Sequence, residues 1–252
     1  MKALVTRPAE DAAPLARALA ERGIEAVIAP MLTIVPAADA APRIADALIA
    51  AQAVLFTSAN GVRAFAAASA RRELPVFAVG DASAAAARMA GFRSVASAGG
   101  DVADLAELVA ARLAPQNGPL VHSAGESIAG DLAGTLGGRG FNVRRVVVYE
   151  AVGANAIDPP AAAAIRSGEV ALALFFSPRT AAAFVRLAAT AGLAQACSRM
   201  SAIALSRAVA AALSGLRWGT LAVAAAPTQQ ALLTALDGLL AEMRSERARG
   251  AS

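Results

Sequence analysis

Short apolar segments alternate with alanine-rich amphipathic segments along most of the chain. The apolar segments have the length of buried strands, and the amphipathic segments have the spacing of crossover helices. This alternation predicts an α/β fold with mainly parallel sheets. The candidate strands are residues 3–6, 26–29, 54–57, 76–79, 120–122, 172–176, 202–204 and 221–224.

One stretch of the sequence occurs twice. The two copies are VLFTSANGVRAF at 54–65 and LFFSPRTAAAF at 174–184. They align Phe56 with Phe175 and Ser58 with Ser177, and the segments that follow each copy also match at a nearly constant offset. Two copies of one α/β unit are therefore predicted. In each copy a strand ends in a hydroxyl residue that leads directly into a helix.

Two apolar, extended segments lie outside the repeated units, PMLTIVP at 30–36 and RVVVYEAV at 145–152. We expect them to pair as a two-stranded β connector between two similar, flavodoxin-like parallel-sheet domains. Domain 1 would then be discontinuous, with residues 1–35 and 150–252, and residues 36–149 would form an inserted domain 2. Two domains in sequential order are a simpler alternative, but the N-terminal strand and helix then lack a matching unit.

Composition narrows the class of function. Hydrophobic residues make up 57% of the chain, mostly through alanine, and no apolar run approaches the ~18 residues of a membrane span. No membrane segment is predicted, and the N-terminus MKALVTRPAED lacks the apolar stretch of a signal peptide, so we expect a cytoplasmic protein. The net charge of +4 favours an anionic partner. Nucleic acid is disfavoured, because the chain has no dense basic stripe and only one Trp and one Tyr.

Few side chains suit metal or nucleophile chemistry. Cys197 is the only cysteine, and packing as a small hydrophobe is favoured for it over catalysis. His122 is the only histidine and ends a predicted buried strand; a structural or binding role is favoured, and acid–base catalysis stays open. Residues 125–130 have the glycine spacing of a phosphate loop, but Asp131 stands where the lysine belongs. No metal site and no nucleotide cofactor are predicted.

Polar turns recur where predicted strands lead into helices. Such turns offer the free amides of a helix N-terminus to an anion, and in parallel sheets they cluster at the carboxyl ends of the strands. Plain helix capping is the alternative at each position. The residues concerned are Thr57, Ser58, Asn60, Ser83, Ser177, Ser206 and Thr228.

Eight motifs spread along the chain support a family resemblance when they are taken in order. They are LVTRP at 4–8, FTSANGV at 56–62, VFAVGDASA at 76–84, GESIAGDL at 125–132, VVVYEAV at 146–152, FFSPRTA at 175–181, AIALSRAVA at 202–210 and AAAPTQQALL at 224–233. With these motifs the chain resembles the uroporphyrinogen-III synthase family over nearly its whole length. That family's architecture, two similar α/β domains joined by a two-stranded β-ladder, agrees with the insertion order inferred from the repeat.

The resemblance implies a cofactor-free lyase of tetrapyrrole (haem) biosynthesis, whose substrate is the linear hydroxymethylbilane. Loss of the terminal hydroxyl would give an azafulvene. Attack by the already substituted carbon of the last pyrrole would form a spiro intermediate, and fragmentation and reclosure would then invert ring D. We expect the enzyme to act as a monomer. A catalytically inactive two-domain module that binds a tetrapyrrole or another anionic ligand is the alternative function.

Tyr149 is the side chain to which the resemblance gives a chemical role, since its phenol can donate a hydrogen bond to the departing hydroxyl. Packing against the connector is the alternative for this residue. The expected substrate contacts are Arg7, Thr57, Ser58, Asn60, Ser83, Ser177, Ser206 and Thr228. The chain departs from the family pattern at Ser83, at Ala129, and at Ala204 with Leu205.

Overall fold

The computed structural model describes residues 1–128 and 130–250. The chain forms two compact units, of which the first comprises Met1–Thr33 with Gly153–Ser252 and the second Ile34–Val152. The N-terminal strand and helix therefore belong to the same unit as the C-terminal part of the chain. None of the helices in the described residues is both long and apolar enough to cross a membrane.

Strands and helices alternate through both units. Within the described residues the strands are β1 (Lys2–Val5), β2 (Glu25–Ile28), β3 (Leu32–Pro36), β4 (Ala53–Phe56), β5 (Val76–Ala78), β6 (Val95–Ser97), β7 (Leu120–Gly125), β8 (Val143–Gly153), β9 (Val170–Phe175), β10 (Ser201–Ala204) and β11 (Thr220–Val223). The helices there are α1 (Ala9–Ala20), α2 (Ala40–Ala47), α3 (Ala59–Ala68), α4 (Asp81–Met89), α5 (Val102–Arg112), α6 (Leu132–Gly137), α7 (Pro159–Ser167), α8 (Pro178–Thr190), α9 (Ala194–Cys197), α10 (Arg207–Ala212) and α11 (Gln229–Gly250). A 3-10 turn, Pro115–Asn117, precedes β7.

The first unit is built on a five-stranded sheet in the order β11-β10-β9-β1-β2. Every pairing in it is parallel. Apolar side chains cover both faces, with separate clusters around Phe175 on one face and around Val5 and Leu174 on the other. Burial on two faces explains why its central strands are continuous apolar runs rather than alternating patterns.

The second unit contains a six-stranded sheet in the order β3-β8-β7-β4-β5-β6. Strands β8, β7, β4, β5 and β6 pair in parallel. Helices cover both faces of this sheet, and every residue of β4 and β7 is buried. The predicted α/β class with parallel-sheet domains is confirmed.

Strands β3 and β8 are neighbours, and the chain passes from one unit to the other within them. The Ala37 N–H donates to the Val148 carbonyl and the Ala154 N–H to that of Met31, so the two strands run antiparallel. The connector is not a separate ribbon, however. The first part of β8 also pairs in parallel with β7, because Val146 and Val148 belong to the core of the second unit.

The expected end of the strand at His122 is wrong. Strand β7 continues through Ser123 and Ala124 to Gly125, so His122 lies within it. These small residues are unusual for a strand in isolation, but β4 and β8 bond to both edges of β7 and supply the pairing.

The two sequence copies make equivalent packing contacts. The rings of Phe56 and Phe65 meet edge to face with centroids 5.6 Å apart. Phe175 and Phe184 repeat this arrangement at 5.3 Å in the first unit. In both units the pair locks a strand to the helix that follows it, which fixes the turn between them.

Candidate active site

Four of the expected contact residues follow neighbouring strands of the first sheet. Thr228, Ser206, Ser177 and Arg7 come after β11, β10, β9 and β1, which is also the spatial order of these strands. Because the strands are parallel, the four residues share the carboxyl edge of the sheet, where α/β proteins bind ligands.

Three of these residues cap helices. Ser177 Oγ accepts the Thr180 N–H of α8 at 3.1 Å. Ser206 caps α10 through the Val209 N–H at 3.4 Å. Thr228 Oγ1 accepts the Ala231 N–H at the start of α11, at 3.2 Å. All three residues are therefore helix N-caps. The remaining free backbone amides in the first turn of each helix point toward the same edge of the sheet.

Contacts with Phe176, Gln229 and Asp11 hold Arg7 against the same edge. Its guanidinium lies over the Phe176 ring at 4.5 Å. Its Nη1 donates to Gln229 Oε1 at 3.1 Å, and Nη2 lies 3.9 Å from Asp11 Oδ2. A cation fixed at the sheet edge where these helices start adds positive potential for a carboxylate ligand.

Ser58 and Tyr149 form a hydroxyl pair in the second unit. Ser58 caps α3 by accepting the Gly61 N–H at 3.0 Å. The same oxygen lies 3.1 Å from the phenolic oxygen of Tyr149. Tyr149 is 9% exposed and packs in the core of the unit. Its ring is therefore fixed by apolar contacts, while its hydroxyl reaches the start of α3.

Gly125 makes room for the phenol. A β-carbon on Gly125 would lie 2.6 Å from Tyr149 Cζ and 2.9 Å from its hydroxyl oxygen, far inside van der Waals contact. The pairing of β7 with β8 shifts register at this point, so that Ala124 opposes Val147 and Gly125 opposes Tyr149. Arg145 Nη2 donates to the Gly125 carbonyl at 2.8 Å and fixes this end of β7. The extra residue in β8 turns the Tyr149 ring onto the glycine.

Thr57 contacts the only histidine of the chain. Its Oγ1 lies 3.1 Å from His122 Nε2. His122 is 1% exposed. Burial, and to a lesser extent the positive charge of Arg145, lower the pKa of His122 to about 4. The imidazole is therefore neutral at physiological pH.

One cavity of about 310 Å³ in the second unit brings Thr57, Ser58, Gly125 and Tyr149 together. Its walls are Thr57, Ser58, Val79, Asp101, Val102, Gly125, Ser127, Ile128 and Tyr149. Two expected residues of this unit do not line it. Asn60 Oδ1 accepts a hydrogen bond from Arg63 in the first turn of α3, and Ser83 is 5% exposed within α4. Ala129 lies outside the described residues.

The described part of the chain gives little support for a catalytic thiol or a metal site. Cys197 is fully buried in the first core, and burial raises the pKa of its thiol to about 11. Such a thiol is protonated and inert at neutral pH, so its packing role is favoured. Among residues 1–128 and 130–250, no group of three or more His, Cys, Asp or Glu side chains is placed to hold a metal ion.

The low pKa of His122 predicts a loss of stability on mild acidification. The unfolded chain takes up a proton at this residue near pH 6.5, whereas the folded chain does so only near pH 4. Between these values the unfolded state binds more protons, so stability falls as pH falls. We expect the free energy of unfolding to drop by about 2 kcal/mol between pH 7 and pH 5. Urea unfolding at both pH values measures this, and His122→Gln should abolish most of the difference. An equal drop in this variant would contradict the assignment.

Comparison with known proteins adds an independent line of evidence. The family model described as uroporphyrinogen-III synthase HemD matches residues 13–234 of this chain. The chain belongs to the uroporphyrinogen-III synthase family. This membership supports uroporphyrinogen-III synthase activity in tetrapyrrole biosynthesis.

Solved structures of uroporphyrinogen-III synthases share the fold. The enzyme from Helicobacter pylori aligns with a TM-score of 0.63 at 15% identity, over 94% of this chain and 98% of the other. A mutant synthase from Thermus thermophilus aligns with a TM-score of 0.55 at 19% identity, over 97% of this chain and 99% of the other. At such identities the likeness concerns the fold alone. No match is found among curated protein sequences.

Sequence reasoning missed two parts of this synthase-family site. Neither the phosphate-loop spacing that begins at Gly125 nor the GESIAGDL motif predicts a contact with Tyr149, although a glycine just after a buried strand is a signal for close backbone approach. The contact between Thr57 and His122 was not foreseen either. Its only signal is that both residues lie near the ends of strands predicted to be parallel.

Proposed function

We propose that this protein converts hydroxymethylbilane into uroporphyrinogen III as a cyclising hydro-lyase, releasing one water per turnover. The observation that carries the proposal is the Ser58–Tyr149 hydroxyl pair, separated by 3.1 Å, at the wall of a cavity in a chain of this family. A buried phenol that is held by its neighbours and opens onto a cavity is suited to protonate a leaving hydroxyl.

The hydrogen bonds of Ser58 determine where the phenol proton of Tyr149 points. Ser58 Oγ already accepts the Gly61 N–H, so its own proton is available for Tyr149. When Ser58 donates to the phenolic oxygen, the phenol proton is left for a ligand in the cavity. Tyr149 then donates its proton to the terminal hydroxyl of the bilane, which leaves as water. Loss of the pyrrole N–H proton gives the neutral azafulvene, and this proton restores the phenol, so the net loss is one water.

The later steps depend mainly on the geometry in which the protein holds the bilane. The substituted carbon of the last pyrrole attacks the azafulvene to form the spiro intermediate, and fragmentation and reclosure invert ring D. Holding a flexible chain so that these two atoms meet is worth roughly 7–11 kcal/mol of the barrier. We assign this task to the carboxylate contacts made by the turns at the carboxyl ends of the strands.

The proposed carboxylate contacts combine hydroxyls, helix amides and one cation. In the first unit they are Arg7, Ser177, Ser206 and Thr228. In the second unit Thr57 and Ser58 line the cavity, and Asn60 lies in the first turn of α3. Burial of Ser83 leaves it out of this set.

Substrate binding should weaken as salt is added. The ligand is a polyanion and the protein carries a net charge of +4, and the screening length falls from about 10 Å at 0.1 M to about 3 Å at 1 M. We expect KM to rise severalfold over this range, while kcat changes less. Initial rates at increasing potassium chloride concentration measure it. A KM that stays constant would show that charge does not dominate binding.

The internal repeat supplies a matched pair of variants. Ser58→Ala and Ser177→Ala each remove an N-cap, which should cost about 0.5–2 kcal/mol of stability. Of the two serines, Ser58 contacts the Tyr149 hydroxyl, whereas Ser177 Oγ lies 2.9 Å from Thr180 Oγ1. Ser58→Ala should therefore lower kcat as well as raise KM, and Ser177→Ala should act on KM alone. Equal effects of the two variants on kcat would argue against the hydroxyl pair as the catalytic centre.

Purified protein incubated with hydroxymethylbilane tests the proposed function. After oxidation, chromatography separates type I from type III uroporphyrin, and spontaneous cyclisation gives type I. Multiple turnovers to type III support the proposal. Binding of the bilane without formation of type III would instead favour the inactive ligand-binding module.

A further inference from the structure

His122 has one hydrogen-bonding partner and one unpaired nitrogen. Its Nε2 lies 3.1 Å from Thr57 Oγ1. Its Nδ1 is buried and has no hydrogen-bond partner among the described residues. The residue is 1% exposed and lies within β7, next to β4, which leads into Thr57.

The unpaired nitrogen decides where the ring proton resides. At neutral pH the imidazole carries a single proton, because burial keeps its pKa low. A proton on Nδ1 would leave a buried N–H without an acceptor, which folded proteins almost never tolerate. A proton on Nε2 makes the hydrogen bond to Thr57 and leaves only a lone pair unsatisfied on Nδ1. The structure therefore favours the Nε2–H tautomer.

The tautomer fixes the direction of the Thr57 hydroxyl. A hydroxyl has one proton, so Thr57 can accept from His122 and donate elsewhere, or donate to His122 and only accept elsewhere. Thr57 lines the cavity of the second unit. An ionised carboxylate accepts hydrogen bonds and cannot donate them. Only the Nε2–H tautomer leaves Thr57 with a proton for such a ligand.

We propose that His122 is a positioning residue, which donates from Nε2–H to Thr57 and so directs the Thr57 hydroxyl proton toward a carboxylate of the ligand in the cavity. The inference rests on the proposed function for the nature of the ligand. The tautomer itself does not, since it follows from burial and contacts alone.

Nuclear magnetic resonance on the full-length protein tests the tautomer. His122 is the only histidine, so long-range correlations between ring protons and ring nitrogens in 15N-labelled protein belong to one residue. At pH 7 we expect a pyrrole-type shift at Nε2 and a pyridine-type shift at Nδ1. The reversed pattern, or a doubly protonated ring, would overturn the inference.

Two variants test whether His122 contributes to ligand binding. His122→Gln can return an N–H donor near the position of Nε2, while His122→Leu has similar bulk and no donor. We expect His122→Leu to raise KM for hydroxymethylbilane by about tenfold with a small change in kcat, and His122→Gln to restore most of the loss. A folded His122→Leu protein with unchanged KM would refute the positioning role, and so would equal losses in both variants.

The two proposals fail in different ways. An active wild-type enzyme with the Nδ1–H tautomer would refute this inference without affecting the proposed function. A wild-type protein that has the Nε2–H tautomer but makes no type III isomer would refute the proposed function.

Discussion

Tyr149→Phe is expected to slow formation of uroporphyrinogen III by roughly 10²–10⁴-fold, the usual effect of removing an acid–base group. The substitution keeps the ring and its packing against Gly125 and removes only the hydroxyl that lies 3.1 Å from Ser58. The free energy of unfolding should change by no more than about 1.5 kcal/mol, the net contribution of one hydrogen bond. Single-turnover rates and urea unfolding of the same preparation measure both quantities.

The isomer ratio adds a second readout for this variant. If the fold, rather than the phenol, enforces ring inversion, the slowed enzyme should still release type III. Type I should then arise only from unbound substrate that cyclises spontaneously. A Tyr149→Phe enzyme with unchanged rate would leave this tyrosine with a packing role alone.

Gly125→Ala is expected to impair the same step from the backbone side. The new β-carbon would lie 2.6 Å from Tyr149 Cζ and 2.8 Å from Cε2, so the ring must move. Overpacking of this kind costs about 1–3 kcal/mol of stability. A displacement of about 1 Å at a reacting group can cost ~10²-fold in rate. We therefore expect a loss of kcat on that order, measured by initial rates.

Gly137→Ala is the matched control for this substitution. Gly137 ends α6, and a β-carbon there would meet nothing within 4 Å. The control should be as active as the wild type and at least as stable. If Gly125→Ala also kept full activity, the phenol would not depend on the space that this glycine leaves.

Local chemistry made several parts of the site predictable from sequence. Ser58 and Ser177 cap helices as their position between a strand and a helix implies, since capping depends on residues within one turn. The equivalence of the two copies was also readable, because Phe56 and Phe175 stand at the same place in each. The α/β class followed from short apolar runs separated by amphipathic segments.

The arrangement around Tyr149 was not predictable in this way. It depends on the register shift that sets Gly125 opposite Tyr149, and register is decided by strands that are distant in sequence. The position of His122 inside β7 has the same origin, because pairing with β4 and β8 extends the strand through small residues that carry no strand signal of their own. Burial of Ser83 likewise results from how α4 packs, which its turn motif does not reveal.

Cyclisation with the protein in molar excess over hydroxymethylbilane tests the proposed function most directly. Excess protein captures the bilane before it can close spontaneously, so the product reports what the bound state does. We predict that the share of type III isomer rises with protein concentration and approaches completeness, whereas heat-denatured protein gives type I. Type I as the main product at every concentration of folded protein would contradict the account.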